Sequence, residues 1–188
     1  FNSAISAQIE TISTKDTTRY SEKQAMEEEK FIAATAFRLA NKTKEAIPLL
    51  QELIKNNKTE PTFYYELART YYLDKQYDDA LTNASKSVSL DPANLYYAIF
   101  EAEILEKQGN AEMAASKYET IISKHPRVEE YWLKMAKLYN AAAMPVKSIE
   151  TFERMGNTFG FSEEILFRKF RAQSEAGDLN AAVLTLEQ

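Results

Sequence analysis

Small side chains recur along the chain at a fixed spacing of 34 residues. One series of small residues consists of Ala46, Ala80, Ala114, Ser148 and Ala182. A second consists of Ala34, Ala68, Ala102 and Ala136, and Phe170 occupies its next position. A long, constant period is typical of chains in which one supersecondary unit is repeated and stacked. The spacing therefore restricts the chain to folds that are built from repeated units.

Large side chains follow the same period. One series reads Phe37, Tyr71, Leu105 and Tyr139, followed by Gln173, and another reads Leu50, Ala84, Tyr118, Phe152 and Leu186. Pro92 and Pro126 are also one period apart, and the residue before a proline avoids the helical region, so each is expected to follow the end of a helix. The chain has only 4 Gly and 5 Pro in 188 residues, which favours long helices with short turns over hairpins or phosphate-binding loops.

These columns together resemble the tetratricopeptide repeat family. The second unit carries the pattern of that family at Tyr64, Leu67, Ala68, Tyr71, Tyr77, Ala80 and Pro92. The resemblance implies an all-α fold, a right-handed superhelical α-solenoid of antiparallel helix pairs. In such a fold the small columns allow the two helices of a unit to approach closely, and the large columns fill the space between units. A single unit cannot bury its apolar face, so the units stack into a superhelix with a concave side.

The period divides the chain into an N-terminal segment and five units. Residues 1–26 lie outside the register and are predicted to form a helical capping segment, with Ile5, Ile9 and Ile12 on one face. The predicted units are 27–60, 61–94, 95–128, 129–162 and 163–188. The last unit stops inside its second helix, so Val183 and Leu186 are expected to lack a neighbour. Because the chain begins at Phe1, we expect a fragment or a processed form.

Composition excludes several classes of function. The net charge of −5 and pI of about 5.1 give no sign of the clustered basic surface that nucleic-acid binding requires. The absence of cysteine excludes disulfides and thiolate chemistry, and no apolar run is long enough to span a membrane. The lone histidine, His125, precedes Pro126 in a predicted turn, where it has no partner for a catalytic relay or a metal site. We therefore expect no enzyme activity, no cofactor and no metal.

The concave groove is the predicted functional site. In the repeat family it is lined by the first helix of each unit, and the groove positions proposed here are Arg38, Tyr65, Glu66, Arg69, Tyr72, Tyr96, Phe100, Glu103, Lys134, Lys137, Arg168 and Arg171. This order predicts a groove that changes from mixed and aromatic to acidic and then to basic. The four cations at its end favour an acidic or carboxylate-bearing ligand. Two alternatives are that Glu103 and Glu106 neutralise these cations, and that the groove residues are ordinary exposed helix positions.

One branch of the family grips the C-terminal carboxylate of chaperones with a Lys/Asn/Asn/Lys/Arg clamp. The matching positions in this chain hold Phe31, Thr35, Glu66, Tyr96 and Phe100. None of these agrees with the clamp, which argues against a role as a partner of chaperones.

The resemblance implies a non-enzymatic scaffold that binds a protein or peptide in its concave groove. Two alternatives stay open. The first is a structural component of a bacterial envelope complex that self-associates through its terminal repeats, and the second is the targeting module of a larger protein. The richness in Asn, Lys, Ile and Tyr and the segment 156–164 resemble exported bacterial repeat proteins, which favours the periplasm or cell envelope over the cytoplasm.

Overall fold

The computed structural model describes residues 22–187, and every regular element in this range is an α-helix. Residues 1–21 and 188 lie outside the described part, so the predicted capping segment 1–26 is described only from residue 22 onward. The ten helices of the described range are α1 (22–39), α2 (Thr43–Asn56), α3 (Pro61–Leu73), α4 (Tyr77–Leu90), α5 (Leu95–Lys107), α6 (Ala111–Lys124), α7 (Glu129–Ala141), α8 (Pro145–Phe159), α9 (Glu163–Glu175) and α10 (Leu179–Leu186).

The helices follow the 34-residue period of the sequence. Helices α3, α5, α7 and α9 begin at residues 61, 95, 129 and 163, and α2, α4, α6, α8 and α10 begin at 43, 77, 111, 145 and 179. From α2 to α10, each helix packs against its neighbours in the chain. Short connections make consecutive helices antiparallel. The predicted all-α solenoid of helix pairs is confirmed, while the division into five separate units stays a prediction.

Small residues occupy the closest contacts between the helices. The two predicted small columns are fully or almost fully buried, from Ala34 and Ala46 to Ala136 and Ala182. Ala68 of α3 and Ala80 of α4 lie in one core cluster with Ala84 and Ile104. Because alanine carries only a methyl group, the two helix axes can approach there, and the neighbouring large side chains close the remaining gaps.

The turn inside each helix pair uses a left-handed backbone conformation. Residues with positive φ recur every 34 positions, at Asn41 (59°), Lys75 (61°), Gly109 (79°), Ala143 (56°) and Gly177 (82°). In each turn the residue that follows the positive-φ position donates its N–H to the carbonyl of the residue five positions earlier, in the last turn of the helix. Gln76 N, for example, donates to Tyr71 O at 2.9 Å. This closure satisfies carbonyls that the end of a helix leaves unpaired. The repeated geometry explains why every first helix of a pair ends at the same place in the 34-residue period.

The last helix of the described range has an uncovered face. Val183 and Leu186 are both more than half exposed, as the period predicted, because no further helix in the described range packs on α10. None of the helices in residues 22–187 is both long enough and apolar enough to cross a bilayer.

The left-handed turns generate a prediction about stability. The Cβ of Ala143 is strained at positive φ, so Ala143→Gly should raise the free energy of unfolding by about 0.5–1 kcal/mol, after the greater entropy of glycine in the unfolded chain is subtracted. The matched change Gly109→Ala introduces a Cβ at the equivalent position and should lower it by about 1 kcal/mol or more. Urea denaturation of both variants measures the two effects. Changes of the same sign would contradict the assignment.

The small columns generate a second prediction. Ala80→Leu and Ala102→Leu add three carbon atoms at positions with no exposed surface, so each should lower the free energy of unfolding by roughly 1–3 kcal/mol. Lys42→Leu changes an exposed residue at the start of α2 and should be nearly neutral. Chemical denaturation compares the three variants, and equal effects would show that the alanines are not close-contact positions.

Candidate functional site

The predicted groove residues all lie on the odd-numbered helices, and we call the surface that these helices form the odd-helix face. Side chains join each pair of neighbours on this face. Arg38 of α1 contacts Glu66 of α3, Tyr65 of α3 contacts Tyr97 of α5, and α5 and α7 are joined by an ion pair. Helices α7 and α9 line one depression together. The period therefore places the twelve predicted residues on successive odd-numbered helices, where Glu66 is buried and the other eleven are at least partly exposed.

A buried ion-pair network lies at one end of the odd-helix face. The Glu66 carboxylate accepts a hydrogen bond from Arg38 Nε at 2.6 Å and another from Arg69 Nη1 at 2.8 Å. Glu66 is only 7% exposed, so both of its oxygens are engaged inside the protein. Glu66 was predicted as a groove position, and the geometry gives it the role of holding the two arginines.

An aromatic cluster covers the contact between α3 and α5. The ring of Phe100 lies 5.5 Å from both the Tyr65 ring and the Tyr72 ring, with edge-on geometry. Tyr65 also lies 4.8 Å from Tyr97, and the guanidinium of Arg69 sits 5.5 Å above the Tyr65 ring. Edge-on rings and a cation over a ring face are favourable arrangements because the ring edge is positive and its face is negative. Tyr65, Tyr72 and Phe100 remain partly exposed, so the cluster presents aromatic surface to solvent.

The two tyrosines of this cluster that face solvent stay neutral at physiological pH. Burial raises the pKa of Tyr65, nearby Glu66 and Glu103 raise it further, and Arg69 opposes them. Burial also raises the pKa of Tyr72, with smaller contributions from Tyr77, Glu103 and Glu106. Each phenol therefore keeps its proton and offers a hydroxyl as donor or acceptor.

Two aromatic positions differ from the sequence prediction. Tyr96 is 74% exposed and makes none of the ring contacts found among the described residues, so it stands apart from the cluster. Tyr97 was not predicted as a site residue, yet it supports Tyr65 from below. The signal for Tyr97 was the column Phe63, Tyr97, Tyr131 and Ile165, which continues an apolar position through four units.

The centre of the odd-helix face is mixed in charge. A surface depression there is lined by Tyr72, Glu103, Glu106, Lys107 and Lys134. Lys137 Nζ lies 3.8 Å from Glu106 Oε1 across the α5–α7 contact. The alternative in which acidic residues neutralise the predicted cations therefore applies to the pair of Glu106 with Lys137.

Three of the four predicted cations meet in a second depression, which we call the basic depression. It is lined by Leu133, Lys137, Asn140, Phe152, Arg168, Arg171, Ala172 and Glu175. Lys134 lines the central depression instead. Arg168 donates to Glu164 from Nε at 3.1 Å and from Nη2 at 2.6 Å, and Arg171 Nη2 donates to Glu175 at 3.0 Å. These carboxylates lie on the same helix as the arginines and hold them at the rim.

Exposed apolar side chains gather at the C-terminal end of the described array. They come from α9, α10 and the connection that precedes α9, and comprise Phe161, Phe167, Leu179, Val183, Leu184 and Leu186. We call this surface the end patch. Exposed apolar side chains concentrated at one end of a domain are typical of a place where another surface can bind.

Within residues 22–187, no group of three or more His, Cys, Asp or Glu side chains could hold a metal ion. His125 is the C-cap residue of α6 and is exposed.

No protein-family model and no curated protein sequence matches the chain. Solved structures share its fold. "MamA 41-end from Desulfovibrio magneticus RS-1" has a TM-score of 0.64 and 15% identity, covering 86% of this chain and 91% of that one. "Crystal structure of MamA protein" has a TM-score of 0.67 and 16% identity, covering 86% and 88%. "Structure of Naa15/Naa10 bound to HypK-THB" has a TM-score of 0.73 and 16% identity, covering 91% of this chain and 28% of that one.

These neighbours are tetratricopeptide-repeat structures, and their likeness shows the fold. The chain has the tetratricopeptide-repeat type of solenoid, as the periodic columns of its sequence predicted.

The Glu66 network generates a prediction. Glu66→Gln removes the carboxylate and leaves Arg38, whose side chain is 10% exposed, without a counter-charge, so the free energy of unfolding should fall by about 3 kcal/mol. Glu164→Gln removes an exposed ion pair within α9 and should cost only about 0.3–0.5 kcal/mol. Urea denaturation compares the two variants. Equal losses would show that the buried network does not stabilise the α1–α3 contact.

Proposed function

We propose that this chain is a non-enzymatic scaffold that binds an extended segment of another protein along the odd-helix face. The observation that carries the proposal is the aromatic cluster of Tyr65, Tyr72 and Phe100. These rings make one connected surface across two units, and each remains partly open to solvent.

The aromatic cluster is suited to binding because its rings are held in place by contacts with one another. Each ring is held by at least one other ring, and Tyr65 is also held by Arg69. Binding a partner to ordered side chains loses less conformational entropy than binding to mobile ones. Tyrosine also combines a large apolar area with a polar hydroxyl, which is why it is frequent at the centres of interfaces.

The charges along the odd-helix face support an extended ligand. The aromatic cluster is followed by the mixed central depression and then by the basic depression, so successive units present different chemistry. A ligand that spans several units would be selected by the order of its side chains, because a reversed segment would place like charges together. The proposed contact residues are the predicted groove positions, with Glu66 holding Arg38 and Arg69 in place.

The structural neighbours are consistent with this proposal. The Naa15/Naa10 structure is described as bound to HypK-THB, so one protein with this fold is seen in a complex with other proteins. At 16% identity the likeness concerns the fold, and the partner of this chain is a separate question.

The test is selection of a displayed library of random peptides on the purified chain. Affinities of the selected peptides are then measured for the parent chain, for Tyr72→Ala and for Met113→Ala. Tyr72→Ala removes a ring of the cluster and should weaken binding roughly tenfold or more. Met113 is 56% exposed on α6, outside the odd-helix face, and Met113→Ala should leave affinity unchanged.

Circular dichroism of each variant establishes that its helices are intact. Peptides that bind equally well to the parent chain and to Tyr72→Ala, but lose affinity for Met113→Ala, would move the binding surface to the even-numbered helices. That result would contradict the proposal.

Self-association is a second candidate function, and the end patch favours it. Burial of its exposed apolar side chains between two copies would remove a large apolar area from water. Light scattering over a dilution series separates the two functions, because only self-association depends on the concentration of the chain. The bacterial envelope as the setting, and the role as a targeting module, stay predictions.

A further inference from the structure

We infer that the end patch is a docking site for one amphipathic α-helix of a partner protein. The helix places an aromatic side chain on Phe167 and directs a lysine or a tyrosine to Glu187. This inference goes beyond the proposed function, because it concerns the end of the described array and a helical ligand rather than an extended one along the odd-helix face. It rests on the repeat, since the earlier helix pairs show what kind of helix covers the equivalent surface.

The first helix pair shows how the equivalent surface is covered. Helix α3 packs on α1 and α2, and its Phe63 and Leu67 lie in one core cluster with Leu50. The ring of Phe63 also lies 5.4 Å from the ring of Phe31 on α1. Phe63 and Leu67 are four residues apart and therefore share one face of α3. The surface of α1 and α2 thus receives a helix with an aromatic residue at a position i and an apolar residue at i+4.

The same positions recur in α9 and α10, where they are open. Leu50 is 1% exposed beneath α3, whereas its equivalent Leu186 is 60% exposed. Phe167 and Val183 are also more than half exposed. A helix docked in the manner of α3 would cover these side chains and remove their apolar surface from water, which is favourable. The corresponding positions, four periods apart, are Phe31 and Phe167, Ile47 and Val183, and Leu50 and Leu186.

A column of polar residues adds a bond to each incoming helix. In the four earlier pairs, one residue of the second helix forms a hydrogen bond or an ion pair with the first helix of the next pair. Each partner lies 16 or 20 residues further along the chain, which corresponds to positions i+4 and i+8 of the incoming helix. The pairs are Gln51 with Tyr71 at 3.1 Å, Ser85 with Glu101 at 2.6 Å, Glu119 with Tyr139 at 3.5 Å, and Glu153 with Lys169.

Glu187 is the next member of the polar column, and it is exposed. An ionised carboxylate only accepts hydrogen bonds, so its partner on an incoming helix has to be a donor. Lys169 supplies such a donor to Glu153 from position i+4, and Tyr139 supplies one to Glu119 from position i+8. A helix that docks on the end patch is therefore expected to carry a lysine at i+4 or a tyrosine at i+8, in addition to the aromatic residue at i.

Charge and spacing favour a partner helix over a second copy of the chain. Glu163 and Glu164 line a depression of about 550 Å³ between α9 and α10, and Glu187 lies at the end of α10. Two end patches placed face to face would bring these carboxylates together, which is unfavourable. At the other end of the described array, α1 does not present the required spacing. Its exposed large apolar side chains are six and seven residues apart and are not aromatic, namely Met26, Ile32 and Leu39.

The test uses lactam-stapled helical peptides and fluorescence anisotropy. The first peptide has the sequence of α3, Pro61–Leu73, because α3 covers the equivalent surface in the first pair and carries Phe, Leu and Tyr at i, i+4 and i+8. We expect saturable binding of one peptide to one chain. The same peptide with Phe63→Ala should bind roughly tenfold more weakly, because its contact with the ring of Phe167 is lost.

Variants of the chain locate the binding surface. Val183→Asp places a charge beneath the docked helix and should weaken binding roughly tenfold or more. Val146→Asp makes the same change at an exposed valine of α8 and should leave affinity unchanged. Tyr72→Ala, which tests the odd-helix face, should also leave affinity for the helical peptide unchanged. Circular dichroism establishes that the helices of each variant are intact.

Exchange of charge at Glu187 tests the polar contact. Two further peptides carry Leu67→Lys and Leu67→Glu at position i+4. The parent chain should bind the lysine peptide about two- to fivefold more tightly than the glutamate peptide, as expected for an exposed ion pair. Glu187→Lys should reverse this order. Glu150→Lys changes an exposed residue of α8 in the same way and should preserve it.

The inference is overturned if the α3 peptide and its Phe63→Ala form bind alike, or if Val146→Asp weakens binding as much as Val183→Asp. It is also overturned if Glu187→Lys leaves the order of the lysine and glutamate peptides unchanged. Light scattering over a dilution series provides a further check. Self-association of the parent chain that Val183→Asp abolishes would assign the end patch to a second copy and would likewise overturn the inference.

Discussion

The close approach of helices at alanine positions is the constraint on which this structure depends. Ala68 and Ala80 meet inside one pair of helices, and Ala102 and Ala114 occupy the equivalent positions one period later. A larger side chain at these positions would separate the axes, and the large columns would then no longer fill the gaps between units. Since each unit buries its apolar surface only against its neighbours, the spacing of one pair sets the stacking of the next.

Regular stacking leaves the odd-helix face available for other chemistry. Within residues 22–187 the odd-helix face carries aromatic and charged groups that are partly exposed, and two of its rings, Tyr72 and Phe100, also pack against a core cluster. The aromatic cluster and the basic depression both lie where neighbouring odd-numbered helices meet, so each depends on correct stacking, and each adjoins buried core residues. The Glu66 network is the exception, because the charges of Arg38 and Glu66 are nearly buried and join α1 to α3.

Sequence reasoning placed residues on the right helices more reliably than it described their surroundings. Lys134 and Lys137 were expected to act together, as two of the four cations at the end of the predicted groove. Residues three apart are separated by about 60° around a helix, and this angle directs Lys134 to the central depression and Lys137 to the basic one. The burial of Glu66 was also unforeseen, because a carboxylate at an exposed-looking position becomes internal only when Arg38 from another unit reaches it. Such partners are 28 residues apart in the chain, and no local pattern relates them.

The sequence by itself determined the fold class and the spacing of the helices, because the 34-residue period of small and large residues is a direct record of which positions touch in every unit. It did not reveal the column of left-handed turns, since Asn41, Lys75 and Ala143 share that geometry with two glycines but no common side chain. The charge pairs between different helices and the grouping of aromatic rings were decided by the tertiary structure. The contacts of Arg38 with Glu66, of Lys137 with Glu106 and of Tyr65 with Phe100 join different helix pairs, and their distances follow from how the pairs stack rather than from any single helix.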